Sequence, residues 1–232
     1  MPKKYKFLEF AEVTSTNDVC LSEMQKSDIP TVVFADSQTQ GRGRNLKSWS
    51  SPRGNISYSI GIRSSFIDPS ITVKTGLIVI KALKKEFNKK VFLKWPNDLI
   101  YKNKKVGGIL VESQTHNNET IIITGIGINL RIDNSEEHWG DLGLDGMTKN
   151  IKHNFVTHLT DELLKLEKLN NINWCRDWNN SCMHIDKNVS IDTRNESYIF
   201  LGIDELGQAK LKNMNSEIET YSESSLKVDG LY

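Results

Sequence analysis

Within the strand predicted from Thr120 to Leu130, the half from Gly125 to Leu130 alternates with period two, and no other stretch restricts the fold as much. Successive side chains of a strand point to opposite faces, so Ile126, Ile128 and Leu130 share one face. Gly125, Gly127 and Asn129 share the other. Glycine weakens a strand interior unless something must approach the backbone closely. Either a helix packs tightly there, or a ligand lies in the space and meets the Asn129 amide. Gly107 shares a face with Lys105 in a second apolar strand, leaving room beside that ammonium. Helix packing remains open for one of these strands; for both together a ligand cradle is the better reading.

The rest of the pattern is mixed α and β. Ser15-Thr16-Asn17-Asp18 predicts a helix N-terminus with capping side chains, running to Met24. Thr31 to Ala35 predicts a buried strand, and Asn55 to Ile62 a second, with Ile56, Tyr58, Ile60 and Ile62 on its apolar face. Val73, Leu77, Ile80, Leu83 and Phe87 follow helical spacing, as do Phe155, Leu159, Leu163 and Leu166; a short helix is expected from Trp174 to Asn180. Val91 to Lys94 predicts a strand stopped by Pro96, and Leu99–Tyr101 with Lys105–Val111 a hairpin turning at Lys102-Asn103. Beyond about Cys182 come short strands at Val189–Ile191, Tyr198–Leu201, Ala209–Leu211 and Ile218–Tyr221. They predict a small β-barrel or sandwich of roughly fifty residues. The expected organisation is an α+β domain over 1–183 and a compact β domain over 184–232.

Composition excludes several classes. Thirty basic and 29 acidic residues leave a net charge of +1, so nothing global draws the chain to nucleic acid or to a membrane. Cys20, Cys175 and Cys182 lack the number and spacing of a disulfide framework or a zinc site, which suits a reducing cytoplasm. The charged start Met1-Pro2-Lys3-Lys4-Tyr5-Lys6 leads into no apolar segment, so it is not read as a signal peptide. No apolar run approaches the ~20 residues that span a bilayer.

An anion site must therefore be local. Gly41-Arg42-Gly43-Arg44 sets two guanidinium forks beside backbone that a ligand can approach closely, although a mobile basic loop would read the same way. Trp49 follows, able to cover a flat ligand or to fill a core. Lys94 and Lys105 stand at strand ends punctuated by proline and glycine, and Asn97 and Asp98 occupy the turn after Pro96. Asp98 is the candidate to help hold a magnesium ion bound to phosphate. His116, His138, His153, His158 and His184 form no metal-binding spacing. Without a GxxxxGK[ST] loop, an ATP-using chain would have to cradle phosphate differently, and the GRGR loop is the candidate.

Six motifs stand in one order: Ser15-Thr16-Asn17; Gln38 to Arg44 with Trp49; Ser51-Pro52-Arg53-Gly54-Asn55; Lys94-Trp95-Pro96-Asn97-Asp98; Lys105-Val106-Gly107-Gly108-Ile109-Leu110; and Gly125 to Asn129. This series resembles the biotin protein ligases, strongly over residues 10–130. Gly202 to Gly207 is similar to that family's C-terminal barrel. The resemblance implies a mixed central sheet with flanking helices, of the class II synthetase-like kind, and a small C-terminal SH3-like β-barrel. It implies activation of biotin by Mg2+-ATP to biotinyl-5′-AMP, then transfer to a lysine of a biotinyl carrier domain, that of acetyl-CoA carboxylase. By motif position, Ser15, Thr16, Asn17 and Gln38 would bind biotin. Gly41, Arg42, Gly43 and Arg44 would form the loop over the acyl-adenylate, against which Trp49 packs. Asn97 and Asn129 would help recognise adenine. Lys105 would meet the reacting carboxylate and α-phosphate, beside Gly107 and Gly108. Lys105, Arg42 and Arg44 are the expected catalytic residues, and loss of Lys105 or Arg42 is expected to stop adenylate formation.

The loop departs from the family's pattern. Many members continue with further Arg or Gly, whereas Asn45-Leu46-Lys47-Ser48 stands here, which bears on loop closure and adenylate affinity. Fourteen residues before Ser15 are too few for the DNA-binding domain of the bifunctional repressor-ligases, so no operator binding is expected. A sheet-edge homodimer is known in the family. Two alternatives stay open: a lipoate–protein ligase with the same adenylate chemistry, and a non-catalytic biotin-binding module. The second should lack Lys105 or the loop arginines.

Overall fold

Two isoleucine-rich strands pair along their whole length in the first of two units into which the chain divides. The computed structural model describes residues 5–116, 119–133, 138–166, 173–191, 196–222 and 226–228. Met1 to Lys4, part of the amino-terminal reading above, lie outside them. The elements are β1 (Lys6–Val13), α1 (Thr16–Met24), β2 (Thr31–Gln38), β3 (Ile56–Ser64), α2 (Ile71–Phe87), β4 (Phe92–Lys94), β5 (Asp98–Tyr101), β6 (Lys104–His116), β7 (Glu119–Ile128), α3 (Lys149–Leu163), α4 (Trp174–Ser181), β8 (Asn188–Ile191), β9 (Ser197–Ile203), β10 (Ala209–Lys212), β11 (Ile218–Tyr221) and β12 (Leu226–Val228). Among the described residues no helix is long and apolar enough to cross a membrane.

The first unit takes in Met1–Ile67, Gly107–Asn134 and Asp141–Asp161. Its sheet runs β1-β2-β3-β7-β6, with β1 parallel to β2 and every other pairing antiparallel. The parallel pair needs a crossover, and α1 supplies it. That helix opens where the capping residues predict, since Ser15 Oγ accepts from Asp18 N–H at 3.4 Å.

Both faces of β3 are buried, because its small side chains receive α1. Cys20 and Met24 crowd over Gly61, where an added Cβ would come within 2.5 Å of Met24 Cγ. On the opposite face Tyr58 is fully buried and its hydroxyl meets Thr160 of α3 at 3.0 Å. Burial pushes that phenol well above its ordinary pKa. In α3 the helix ends at Leu163, so Leu166 of the predicted stripe lies beyond it.

The second unit comprises Asp68–Val106, Ser135–Gly140 and Glu162–Tyr232. Eleven buried residues line α2, which ends in a left-handed cap at Asn88 (φ 53°). There the Asn88 and Lys89 N–H groups return to Lys84 and Leu83 carbonyls. Lys74, buried in this helix, pairs with Asp68 at 2.7 Å and lies 4.8 Å from the centre of the Trp174 ring. The hairpin between β5 and β6 turns at Lys102 (φ 50°) and Asn103 (φ 61°), two successive positive φ angles that suit the twist of its strands.

Residues 188–228 supply a five-stranded antiparallel sheet, β11-β10-β9-β8-β12, as expected of a small SH3-like β domain. Tyr198, Phe200, Ala209 and Leu211 are among its buried residues. Trp95 is anchored within the same unit, its indole N–H donating to the Gly207 carbonyl at 2.9 Å. Two strands were not anticipated. In β1 the side chains alternate only weakly and the strand has one neighbour, so Phe10 stays 36% exposed; β12 is three residues long.

Candidate functional site

The predicted residues fall in both units. In the first unit, register lines up small residues on one face, Ser57 with Gly127 and Gly108, then Ser59 with Gly125, where the β6 partner is the larger Leu110. Of the two β6 glycines Gly108 joins this row, while Gly107 pairs with Ile128 on the other face.

The space above these glycines is not an empty cradle. An added Cβ at Gly125 would sit 2.3 Å from Asn17 Oδ1, and one at Gly127 2.6 Å from Trp49 Cε2. Helix packing, the reading held open for one strand, therefore accounts for Gly125. At Gly127 an aromatic side chain from the glycine loop takes the space. Gly125→Ala is expected to destabilise by about 1–3 kcal/mol through overpacking, read as a lower urea midpoint with an unchanged m-value.

The α1 start carries a satisfied polar network. Gln38 Oε1 accepts from Thr16 N–H (2.8 Å) and Thr16 Oγ1 (3.0 Å), while Gln38 Nε2 donates to Ser51 Oγ (2.9 Å). Ser59 Oγ donates to Asn17 Oδ1 at 2.6 Å and lies 2.8 Å from Thr16 Oγ1. Asn17 Nδ2 donates to Glu112 Oε2 at 2.6 Å. Ser15, Thr16, Asn17 and Ser59 are all buried, so these hydrogen bonds hold the side chains in one arrangement.

The loop after β2 folds on itself. Trp49 N–H donates to Gly41 O at 2.9 Å, Gly43 N–H to Lys47 O at 2.7 Å, and Arg42 bridges Ser48. At its tip Asn45 (φ 53°) and Leu46 (φ 58°) both occupy the left-handed region, and Leu46 is 92% exposed. Asparagine tolerates that region, whereas the bulkier Leu46 carries local strain there. Arg42 forks onto Asp18 at 2.7 and 2.6 Å and lies 3.4 Å from Glu112. Its hydrogen bonds hold the Asp18 carboxyl below its ordinary pKa. Half-buried Arg44 opens the 3-10 turn at Arg44–Leu46.

Past the end of β7, Asn129 is buried and its carbonyl accepts from Leu142 N–H at 3.0 Å. Asn55 Oδ1 accepts from the N–H groups of Leu130 (2.8 Å) and Arg131 (3.1 Å), and so fixes the backbone that follows Asn129.

In the second unit Lys105 Nζ lies 2.5 Å from Asp98 Oδ1 and 5.4 Å from the centre of the Trp139 ring. Lys105 N–H donates to His138 O (3.1 Å) and Gly140 N–H to Lys105 O (2.9 Å), so the 138–140 segment flanks this lysine. Asn97, partly buried, precedes Asp98, which registers with Lys94 across β4 and β5. Among the described residues no group of three or more His, Cys, Asp or Glu side chains is arranged to hold a metal. The Lys105 ammonium pairs with Asp98, and a magnesium ion enters below only as part of the nucleotide substrate.

One pair looks nucleophilic and is not. Cys182 Sγ lies 3.2 Å from His184 Nδ1, but burial pushes the thiol up to about 12 and the imidazole down to about 3. Both groups are neutral at physiological pH, and the pair is structural.

Asp18, Glu112, Ser59, Asn55 and Trp139 escaped the sequence reading as site residues. Asp18 and Asn55 stand inside quoted motifs. Ser59 carried its signal in the small face of β3. Nothing local marks Glu112 or Trp139.

The family model described as "Biotin/lipoate A/B protein ligase family" matches residues 9–129. Biotin–protein ligase 2 of Arabidopsis thaliana is 33% identical over 132 residues, covering 53% of this chain and 40% of that protein. The bifunctional ligase/repressor BirA of Bacillus subtilis is 32% identical over 130 residues, again 53% and 40%. The match thus spans about two fifths of the length of these relatives. The biotin protein ligase of Aquifex aeolicus in complex with biotin and ATP superposes with a TM-score of 0.79 at 23% identity, over 97% of this chain and 99% of that one. That of Leishmania major with biotinyl-5-AMP gives 0.63 at 23% identity, over 96% and 100%. At such identities the likeness is one of fold, and the fold is the one the motifs led us to expect.

Proposed function

Because the chain belongs to the biotin/lipoate A/B protein ligase family, we propose that it is a biotin–protein ligase working through an acyl-adenylate. The observation that carries this reading is the network of buried Thr16, Asn17 and Ser59 with half-buried Gln38 above the glycine-floored strands, beside a self-paired loop bearing Arg44 and Trp49. Fixed amide and hydroxyl groups suit a small neutral ring with a urea edge. Cations held in place suit the anions that must be brought together.

In the first step a biotin carboxylate oxygen attacks the α-phosphorus of Mg2+-ATP. The new P–O bond forms as the bond to the β-phosphate bridge breaks, and pyrophosphate leaves. Lys105, positioned by Asp98, offsets the repulsion between carboxylate and α-phosphate. Ser15, Thr16, Asn17 and Gln38 hold biotin; Asn97 and Asn129 read adenine. Gly41 to Arg44 and Trp49 cover the mixed anhydride and exclude water. In the second step a lysine amine of the acceptor attacks the acyl carbon, an amide forms and AMP leaves.

The acceptor we propose is a biotinyl carrier domain, that of acetyl-CoA carboxylase. We also retain the division into a catalytic domain over 1–183 and a small β domain over 184–232. A homodimer through the β1 edge and a cytoplasmic location complete the reading; Cys20, Cys175 and Cys182 are free thiols.

Isotope exchange between pyrophosphate and ATP, with magnesium and either biotin or lipoate, tests the first step without the acceptor. We expect exchange that depends on biotin. Exchange with lipoate alone would move the chain to the other branch of the family. No exchange with either, while biotin still binds, would make it a binding module.

A further inference from the structure

Arg42 has the composition of a phosphate-binding residue but not the surroundings of one. Its fork is spent on Asp18, with both oxygens engaged at 2.7 and 2.6 Å, and Glu112 adds a second carboxylate at 3.4 Å. One guanidinium beside two carboxylates leaves a local charge of about −1, which repels rather than attracts a polyphosphate. The contacts on either side are mechanical in kind. Asp18 stands in the first turn of α1, its N–H capped by Ser15, and Glu112 is held by Asn17, which rests on Ser59 and over Gly125. Arg42 is also the first bridged residue of the loop hairpin, paired with Ser48, with the Gly43–Lys47 bond inside it and the Trp49–Gly41 bond behind it.

We infer that Arg42 straps the glycine loop to α1 and β6 rather than serving as a cation offered to phosphate, and that Asp18 is the positioning residue that makes this possible. The strap is set before any ligand arrives, so Trp49 is already seated over Gly127. Arg44 is left as the loop arginine that meets the adenylate. A bidentate fork is needed to hold one geometry, which a lysine cannot supply. The Asp18 and Arg42 side chains are 51% and 32% exposed, so the strap adds little to global stability and acts on the loop alone.

The catalytic half of this inference rests on the ligase reading; the loop half does not. Two readouts on Asp18→Asn, Arg42→Lys and Arg42→Ala therefore decide it. Amide hydrogen exchange at Gly43 and Trp49, in ligand-free protein, is expected to quicken about five- to tenfold in all three variants while the urea midpoint stays put. Unchanged exchange at those amides overturns the strap whatever the enzyme does. In biotin-dependent pyrophosphate exchange, Asp18→Asn should behave like Arg42→Ala, with lower turnover and a raised KM for ATP. If Asp18→Asn instead lowers KM for ATP, Arg42 was a phosphate ligand restrained by Asp18, and the inference fails. A wild-type protein that shows no biotin-dependent exchange would sink the ligase reading, and the amide measurement would still judge the strap.

Discussion

Lys105→Ala is expected to lower biotin-dependent pyrophosphate exchange by about 10²–10³ while leaving the fold intact. In the proposed first step two anions must come within bonding distance, and a cation fixed beforehand stabilises the transition state more than one recruited from solvent. Lys105 has that fixity. Its side chain is 19% exposed, its ammonium lies 2.5 Å from Asp98 and faces the Trp139 ring, and its backbone is bonded to both His138 and Gly140.

Two companion variants separate charge from placement. Asp98→Asn keeps the charge and loses the restraint, so turnover should fall while KM for biotin changes little. Lys105→Arg keeps the charge but replaces a compact ammonium with a planar fork, and should recover only part of the rate. Exchange at the wild-type rate in Lys105→Ala would remove this residue from the chemistry. A lowered urea midpoint with unchanged exchange per folded molecule would make the Asp98 pair structural.

How far the molecule was legible in advance depended on whether a feature is periodic. The faces of β3 and of β7 from Gly125 onward show because isoleucine alternates with serine or glycine, and the β5–β6 turn shows because Lys102-Asn103 sits between two apolar runs. In α2 the burial is broad, yet Val73, Leu77, Ile80 and Leu83 are enough to mark it. By contrast, β1 has one pairing partner and exposes Phe10, so selection for alternation is weak.

The site divides the same way. Glycines announce that something comes close, but a missing side chain carries no information about what enters. Asn17 over Gly125 and Trp49 over Gly127 are settled by packing across 108 and 78 positions of chain, as the differences in their numbers give. Ion pairs are harder still. Arg42 with Asp18, an ion pair, and Asn17 with Glu112, a hydrogen bond, are separated by 24 and 95 positions, and no local pattern links such partners. That is why Arg42 reads as a phosphate ligand in the sequence, whereas in the structure its fork meets Asp18.

Mild acid is expected to weaken the protein through His184, well above the pH at which carboxylates protonate. This side chain is fully buried, its ring lies 4.1 Å from the Phe200 ring, and Cys182 Sγ stands 3.2 Å from its Nδ1. Burial first, then the positive charges of Lys94 and Lys187, push its pKa down to about 3. The unfolded chain takes up a proton near the ordinary value of about 6.5, whereas the native state resists it until about 3. A lowered native pKa therefore stabilises the fold fully above about 6.5, and that contribution is lost as pH falls toward 3. Each pH unit within the window costs about 1.4 kcal/mol for one such group, so from pH 6.5 to 4.5 the loss is roughly 2–3 kcal/mol. That is a substantial part of a typical stability of about 5–15 kcal/mol. Urea unfolding of the wild type and of His184→Leu across this range isolates the term, since the other titrating groups are common to both. The leucine variant should start lower at neutral pH, having lost the ring contact and the thiol partner, and then fall less steeply. Parallel curves would mean that the native state protonates His184 as readily as the unfolded chain does, and the buried neutral imidazole would have to be abandoned.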